Sequence, residues 1–460
     1  MTELEKIGMT KRTENGDISY KTTGNNLTDL FFMTPYFEKH LNQAKIGNSE
    51  KEKVFAMFVR DPRFGLGRRD LGRVLMKQAG VEPKNIAKAG RFDDLWHNGT
   101  QADVDFLKDE IIKGNELAKK WMPRLTGKYR QYAKAFCKMW GITEKEYRQL
   151  IKTDSTTEYK LSYTEENIER TRLEQLFKKI TYTHPLVDEI DFEKVPSLAM
   201  TKYLHTFSTR EDLKERFEEY IQKVKENKAK VNVSTTNVTD AMRTAYNVNV
   251  NIEAKDIIGK KIVENATLGV ELNAICVLDT SGSMYSGWGI DINRTNDIGM
   301  KAMAVAHAIA THSTYAKNQL ISFSSNPKLM TIKGETLQEQ YGSMYTGDCS
   351  NTDLAKVMNL LKGLNEYPEF IIVLSDMEFD RGSYQSKKEL MEIFRKHEAN
   401  TKLIWWNFND RNKTVPEFDE YGNIYISGYN LQILKLLENK FDMTTYIDKI
   451  LEKYKKDIDY

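Results

Sequence analysis

The sequence predicts two architectures in series: an all-helical first part and an α/β second part built on a mostly parallel sheet. Three observations lead there. Between about residues 50 and 225, apolar residues recur at three- and four-residue spacing, the period of amphipathic helices. Beyond about residue 265, short continuous apolar runs alternate with helical segments, the pattern of a buried parallel sheet. The chain also has 460 residues, more than one hydrophobic core usually serves.

The first fifty residues are polar and mixed, and read as turns followed by the aromatic anchor Leu30-Phe31-Phe32. Helices are expected over residues 52–60, 70–79, 102–121, 131–140 and 213–225, separated by Gly, Pro and short polar breaks. No strand and no fixed sequence period stands out there, so stacked helical hairpins of a solenoid are the natural arrangement. A lysine-rich stretch then runs into residues poor in large apolar groups, with one further helix expected over 239–246. The domain boundary is placed at 262/263, giving domains 1–262 and 263–460.

In the second part, strands are expected over residues 273–278, 369–375, 403–408 and 423–427. Two more, 319–324 and 329–333, flank Ser325-Asn326-Pro327-Lys328 and form a hairpin that adds an antiparallel edge strand. Helices are expected over 297–312, 353–364, 387–397 and 431–441.

Composition narrows the function classes. The hydrophobic and charged fractions, 40% and 29%, are those of a globular protein, and no run of eighteen apolar residues calls for a membrane helix. The start, Met1-Thr2-Glu3-Leu4-Glu5-Lys6, lacks the apolar core of a secretion signal, so a cytoplasmic monomer is expected. Cys137, Cys276 and Cys349 are odd in number and far apart, which suggests neither disulfides nor zinc. The net charge of +2 hides an asymmetry. Residues 51–150 hold 22 Lys and Arg against 13 Asp and Glu, whereas residues 251–460 hold 24 against 29. A local basic excess points to a polyanionic partner.

Two groups of residues carry the chemistry. In a parallel sheet, ligands gather at the carboxyl ends of strands. Asp279, Ser281 and Ser283 follow the first strand, Thr352 opens the helix at 353–364, and Asp376 ends the strand at 369–375. Hydroxyls that ligate directly, with carboxylates acting through water, suit a small hard cation such as Mg²⁺. Read without a metal, the same residues are a Ser- and Asp-rich turn with helix caps. The second group is basic. Arg130, Lys134 and Lys138 recur at four-residue spacing on one helix face, with Arg124 and Lys128 before them and Arg148 after. Tyr129, Tyr132, Trp140 and Tyr147 are interleaved, and cations with aromatic faces are what single-stranded RNA requires. The competing reading is a solvated face above core aromatics. A further set, Arg60, Arg63, Arg68, Arg69, Arg73 and Lys77, is expected to pair largely with Asp61, Asp70, Asp93 and Asp94.

Val277-Leu278-Asp279-Thr280-Ser281-Gly282-Ser283-Met284 resembles the first motif of von Willebrand A domains. Asn351-Thr352-Asp353 and Ser375-Asp376 resemble the second and third. That resemblance implies a Rossmann-like A domain with a metal-ion-dependent adhesion site, usually holding Mg²⁺, with Asp353 and Glu378 nearby as tuning groups. Gly90-Arg91-Phe92-Asp93-Asp94-Leu95-Trp96 resembles a signature of the Ro autoantigen family. The segments 58–68, 140–148 and 195–200 resemble others of that family in the same order. The resemblance spans about residues 13–440 and is nearest to divergent Ro-like proteins of bacteria and phages. It implies a HEAT-like helical-repeat ring, the RNA-binding TROVE module, joined to an A domain. Its basic residues would grip single-stranded ends or structured RNA, small non-coding or misfolded.

No catalytic constellation is present: the seven histidines are scattered, and neither His-Glu-x-x-His nor Gly-x-Ser-x-Gly occurs. The sequence therefore reads as a non-catalytic RNA-binding protein whose metal site recruits a protein partner. Two alternatives remain: a metal-dependent interaction scaffold without RNA binding, and a metal-dependent nuclease.

Overall fold

The computed structural model describes residues 11–12, 18–19, 25–62, 64–152, 190–195, 197–233, 236–247, 251–267, 270–285, 297–346, 353–376, 383–397, 399–408, 417–418, 422–429, 431, 433–434, 437 and 443–460. Its contacts divide the chain into two compact units, residues 34–200 with 447–460, and residues 1–33 with 201–446. Compactness thus partitions the chain along other lines than 1–262 and 263–460.

The first unit is helical. It holds α2 (Thr34–Lys39), α3 (Glu50–Arg60), α4 (Arg69–Ala79), α5 (Pro83–Ala89), α6 (Phe92–Asn98), α7 (Gln101–Ile112), α8 (Glu116–Trp121), α9 (Arg130–Trp140) and α10 (Glu144–Leu150). The short α1 (Asn26–Phe32) precedes it, in the other unit. The helix expected over 102–121 is in fact two. Gly114 turns left-handed at φ 88°, and Asn115 caps α8 by accepting from the backbone N–H of Leu117 (3.1 Å) and Ala118 (3.2 Å). α3 and α4 pack closely because a Cβ on Gly72 would stand 2.6 Å from Arg60 Cα.

An ion network ties the same helices together. Asp94 pairs with Arg60 (2.8 Å) and Arg73 (2.5 Å), and Asp93 with Arg69 (2.8 Å) and Arg73 (3.0 Å). Arg60, Asp93 and Asp94 are buried, where a carboxylate needs such partners. Arg68 reaches Glu38 and Lys77 the Asn98 carbonyl, while Arg63 lies outside the described residues. The residues that resemble a Ro signature are therefore a helix start. The Asp94 carboxylate accepts from the Arg91 N–H, and buried Trp96 donates Nε1 to the Trp121 carbonyl at 3.0 Å. The last fourteen residues, unexpected from sequence as an element, complete this unit. They carry most of α19 (Met443–Asp457), whose Tyr454 hydroxyl donates to Asp61 at 3.2 Å.

The second unit holds the sheet, in the order β5-β4-β3-β6-β7-β9-β8 among the described residues. Its strands are β3 (Ala274–Asp279), β4 (Gln319–Phe323), β5 (Lys328–Thr331), β6 (Phe370–Ser375), β7 (Lys402–Asn407), β8 (Glu417–Phe418) and β9 (Ile424–Ser427). A separate two-residue pair, β1 (Lys11–Arg12) with β2 (Ile18–Ser19), is antiparallel. In the main sheet β4, β3, β6, β7 and β9 run parallel, and β5 and β8 are antiparallel edges. β3 and β6 are buried at every position, which is why both read as unbroken apolar runs.

Flanking the sheet are α15 (Ile298–Thr311), α16 (Leu337–Ser343), α17 (Leu354–Lys362) and α18 (Ser383–Lys396). The helix expected over 431–441 falls mostly outside the described residues. α11 (Ser197–Thr209), α12 (Glu211–Lys225), α13 (Val238–Ala245) and α14 (Ile252–Thr267) precede β3. α13 and α14 pack on α15 and α16, so this stretch is part of the sheet unit's core.

Candidate functional site

β3 continues through α15 to β4 on one side, and β6 through α18 to β7 on the other. The chain thus leaves the carboxyl ends of β3 and β6 in opposite directions, the switch in strand order at which open α/β sheets form a crevice. Asp279 ends β3 and is fully buried; Ser281 and Asp376 are 4% exposed. Ser281 donates its backbone N–H to Asp279 Oδ1 at 2.9 Å, and its hydroxyl lies 3.1 Å from that of exposed Ser283. From the neighbouring strand, Ser375 donates its hydroxyl to Asp279 Oδ2 at 2.5 Å. Ser375 stands in the sequence beside Asp376 in the third motif but was not among the expected ligands. Register pairs Leu278 with Leu374, which brings it beside Asp279.

Burial pushes the Asp279 carboxyl up to about 7. Hydrogen bonds from Ser375 and Ser281 oppose the rise, and the Asp376 charge adds to it. A cation beside Asp279 would remove that cost, so the residues fit a hard metal ion by charge and by donor type. Asp353 does something local: it caps α17 by accepting from the Lys356 N–H at 3.1 Å. Thr352 and Glu378 lie outside the described residues. Among the described residues, no group of three or more His, Cys, Asp and Glu could hold a metal. A set with two carboxylates and several hydroxyls is not of that kind.

In the helical unit, Arg124, Lys128, Arg130, Lys134, Lys138 and Arg148 are all exposed. α9 buries Ala133, Phe136 and Cys137 and leaves Arg130, Lys134 and Lys138 exposed in a row along its flank. None of those three has an ion-pair partner among the described residues. Arg148 has one, a loose 3.8 Å pair with Glu144, and Arg124 donates to the Ile151 carbonyl at 3.3 Å. The Lys128 ammonium sits 5.4 Å from the Tyr129 ring centre.

The aromatics divide. Tyr147 is core: it is fully buried and donates its hydroxyl to the Pro123 carbonyl at 2.9 Å. It cannot stack on a base, contrary to the expectation for the interleaved rings. Tyr129 and Tyr132 are half-buried and pack on Trp96 at 5.2 and 5.1 Å, while Trp140 packs on Phe136 at 4.9 Å.

Two family models match the chain, each described as a domain of unknown function: DUF2828 over residues 93–265 and DUF7788 over 273–457. They divide the chain between them just ahead of β3. An uncharacterized protein of Acanthamoeba polyphaga mimivirus is 22% identical over 530 residues, covering 96% of this chain and 87% of that protein. Among solved structures, the Ro (RSR) protein of Deinococcus radiodurans is similar at 12% identity and a TM-score of 0.41, with 95% of each chain covered. No helix among the described residues is long and apolar enough to cross a membrane.

Proposed function

We propose that this chain is a non-catalytic, Ro-like RNA-binding protein that holds single-stranded RNA along the outward face of α9. The observation that carries the reading is the row Arg130, Lys134 and Lys138, exposed and without ion-pair partners among the described residues. Cations that balance acids, such as Arg73 between Asp93 and Asp94, hold the fold together. Cations left without a partner on a regular spacing suit a polyanion. Half-buried Tyr129 and Tyr132 close by supply ring edges for bases. In this reading the helices form a HEAT-like repeat and the sheet is a Rossmann-like A domain.

Filter binding of an unstructured oligoribonucleotide at stepped salt tests it. Charge removal in the triple variant Arg130→Gln, Lys134→Gln, Lys138→Gln should weaken binding at low salt and flatten the log–log salt slope by about 2. Binding with an unchanged slope would remove RNA from this face.

A second role is favoured by Asp279, a carboxylate buried with too few donors to hold its charge comfortably. In this reading Asp279, Ser281, Ser283, Thr352 and Asp376 hold Mg²⁺. The ion supplies an open coordination position for an acidic side chain of a protein partner. Two hydrogen bonds support this reading: Ser375 and the Ser281 N–H each hold one oxygen of the Asp279 carboxylate that would face the ion. Mg²⁺ should therefore raise the melting temperature of the wild-type protein and leave Asp279→Ala unmoved. Equal shifts in both would put the ion elsewhere, and RNA binding should survive the substitution.

A further inference from the structure

The sheet ends on one side at an edge that neither reading above uses. β5 is the last strand there among the described residues, and Lys328, Leu329 and Thr331 are exposed along it. Its register with β4 sets Met330 against Leu320, and the Ile332 N–H donates to the Asn318 carbonyl at 2.7 Å. In an antiparallel pair, every second residue turns its backbone groups toward the neighbouring strand. Residues 328, 330 and 332 therefore face β4, while Leu329 and Thr331 turn their N–H and C=O groups to the open side. Such unpaired ladder groups are a template for another strand.

Charge defines what that strand would be. Lys328 opens β5, and Lys317 and Lys333 flank its last rung, Asn318 with Ile332. All three lysines are exposed, and none has an ion-pair partner among the described residues. Of the acids that follow, Glu339 is engaged in capping α16, where it accepts from the N–H of Glu335 and Thr336. Glu335 itself stands beyond the turn at Gly334. Among these lysines Leu329, 52% exposed, offers an apolar side chain to whatever pairs there. Lysines on an edge repel a second edge of the same kind, so the row disfavours another copy of this chain and selects a strand of opposite charge. A nucleic acid would match the charge but not the backbone. Phosphodiesters carry no donors for the carbonyls of Leu329 and Thr331, whereas a peptide brings donors and acceptors in alternation.

We propose that the β5 edge binds an extended acidic segment of a partner protein, which joins the sheet as a further strand. Main-chain hydrogen bonds at residues 329 and 331 supply the affinity, and carboxylates facing Lys328 and Lys333 set the charge preference. Those two lysines are separated by roughly 17 Å of extended chain, the reach of a short peptide segment. The proposal depends on neither the RNA reading nor the metal reading.

The test uses an end-blocked, fluorescein-labelled peptide, Glu-Thr-Val-Thr-Val-Glu, and reads its binding to the full chain by fluorescence anisotropy. The peptide should bind, and its counterpart with Lys in place of both Glu should not. N-methylation of one alternate set of its backbone nitrogens should weaken binding about tenfold, and methylation of the other set should leave it unchanged. The double variant Lys328→Glu, Lys333→Glu should invert the charge preference. Equal effects of the two methylated sets, which need no variant to be folded, would mean that the lysines attract carboxylates without strand pairing, and would overturn the proposal. Failure of the acidic peptide to bind the wild-type chain, or an unchanged preference in the variant, overturns it as well. Tighter binding of an oligouridylate that the double variant abolishes would assign this edge to RNA instead, and also overturn it.

Discussion

His307 shows how far a single buried group departs from what its residue type suggests. It lies in the middle of α15, 2% exposed, with Nε2 2.8 Å from Gln340 Oε1 and its ring 4.5 Å from that of Tyr341. Nδ1 is buried without a hydrogen-bond partner among the described residues. Burial holds the imidazole down to about 4, against an ordinary value of 6.5. The unfolded chain therefore takes up a proton below pH 6.5 that the folded chain refuses until about pH 4. The stability due to neutral His307 is complete above the unfolded value and is lost as pH falls through this window. Urea unfolding at pH 7 and at pH 4.5 should show a loss on the order of 2 kcal/mol that His307→Gln lacks. Equal losses in both proteins would mean that His307 is protonated in the native state. At this scale the candidate metal site was partly legible. Asp279, Ser281 and Ser283 stand together in the chain, whereas the Ser375 hydroxyl reaches Asp279 from 96 residues away. The charged set around Asp93 and Asp94 was legible as ion pairs, because opposite charges in such number within one short helical stretch must be matched once buried.

Elements were easiest to read where burial is one-sided or complete. β3 and β6 are buried throughout, and no residue in Ala274–Asp279 or Phe370–Ser375 interrupts their apolar run before the closing Asp279 and Ser375. α14 was hidden for the opposite reason. It straddles the expected boundary, and its buried face includes Lys255 and Gly259 beside Ile258 and Ile262. Lys255 is tolerated there because its ammonium donates to Gln338 Oε1 at 2.9 Å and to the Asn247 carbonyl at 3.3 Å. Gly259 leaves room for Leu337, whose Cδ1 would stand 2.7 Å from a Cβ. Both partners lie outside the helix, where periodicity has no view. The same logic makes a prediction for α3 and α4. A methyl group at Gly72 would meet the Arg60 backbone, which cannot swing aside as a flexible side chain would. Gly72→Ala should destabilise the protein by about 1–3 kcal/mol, read as a lower urea midpoint. No change in midpoint would show that the two helices have slack to separate.

Across the whole molecule, the division into helical and sheet-bearing parts was legible, but membership in the compact units was not. Residues 447–460 belong with the helices of 34–200, through contacts such as Tyr454 with Asp61 and Lys88 with the Asp459 carbonyl. Residues 201–267 belong with the sheet. A linear reading cannot foresee either, since both depend on pairings hundreds of residues apart or on faces that look solvated alone. The central claim is that RNA is held by the helical unit and not at the crevice between β3 and β6. Photocrosslinking of a 4-thiouridine oligonucleotide to the full chain, followed by mass mapping of the attached peptides, tests it most directly. Crosslinks should concentrate in residues 121–150, at Tyr129, Tyr132 and the peptides bearing Arg130, Lys134 and Lys138. Crosslinks confined to the segments after β3 and β6 would contradict the account.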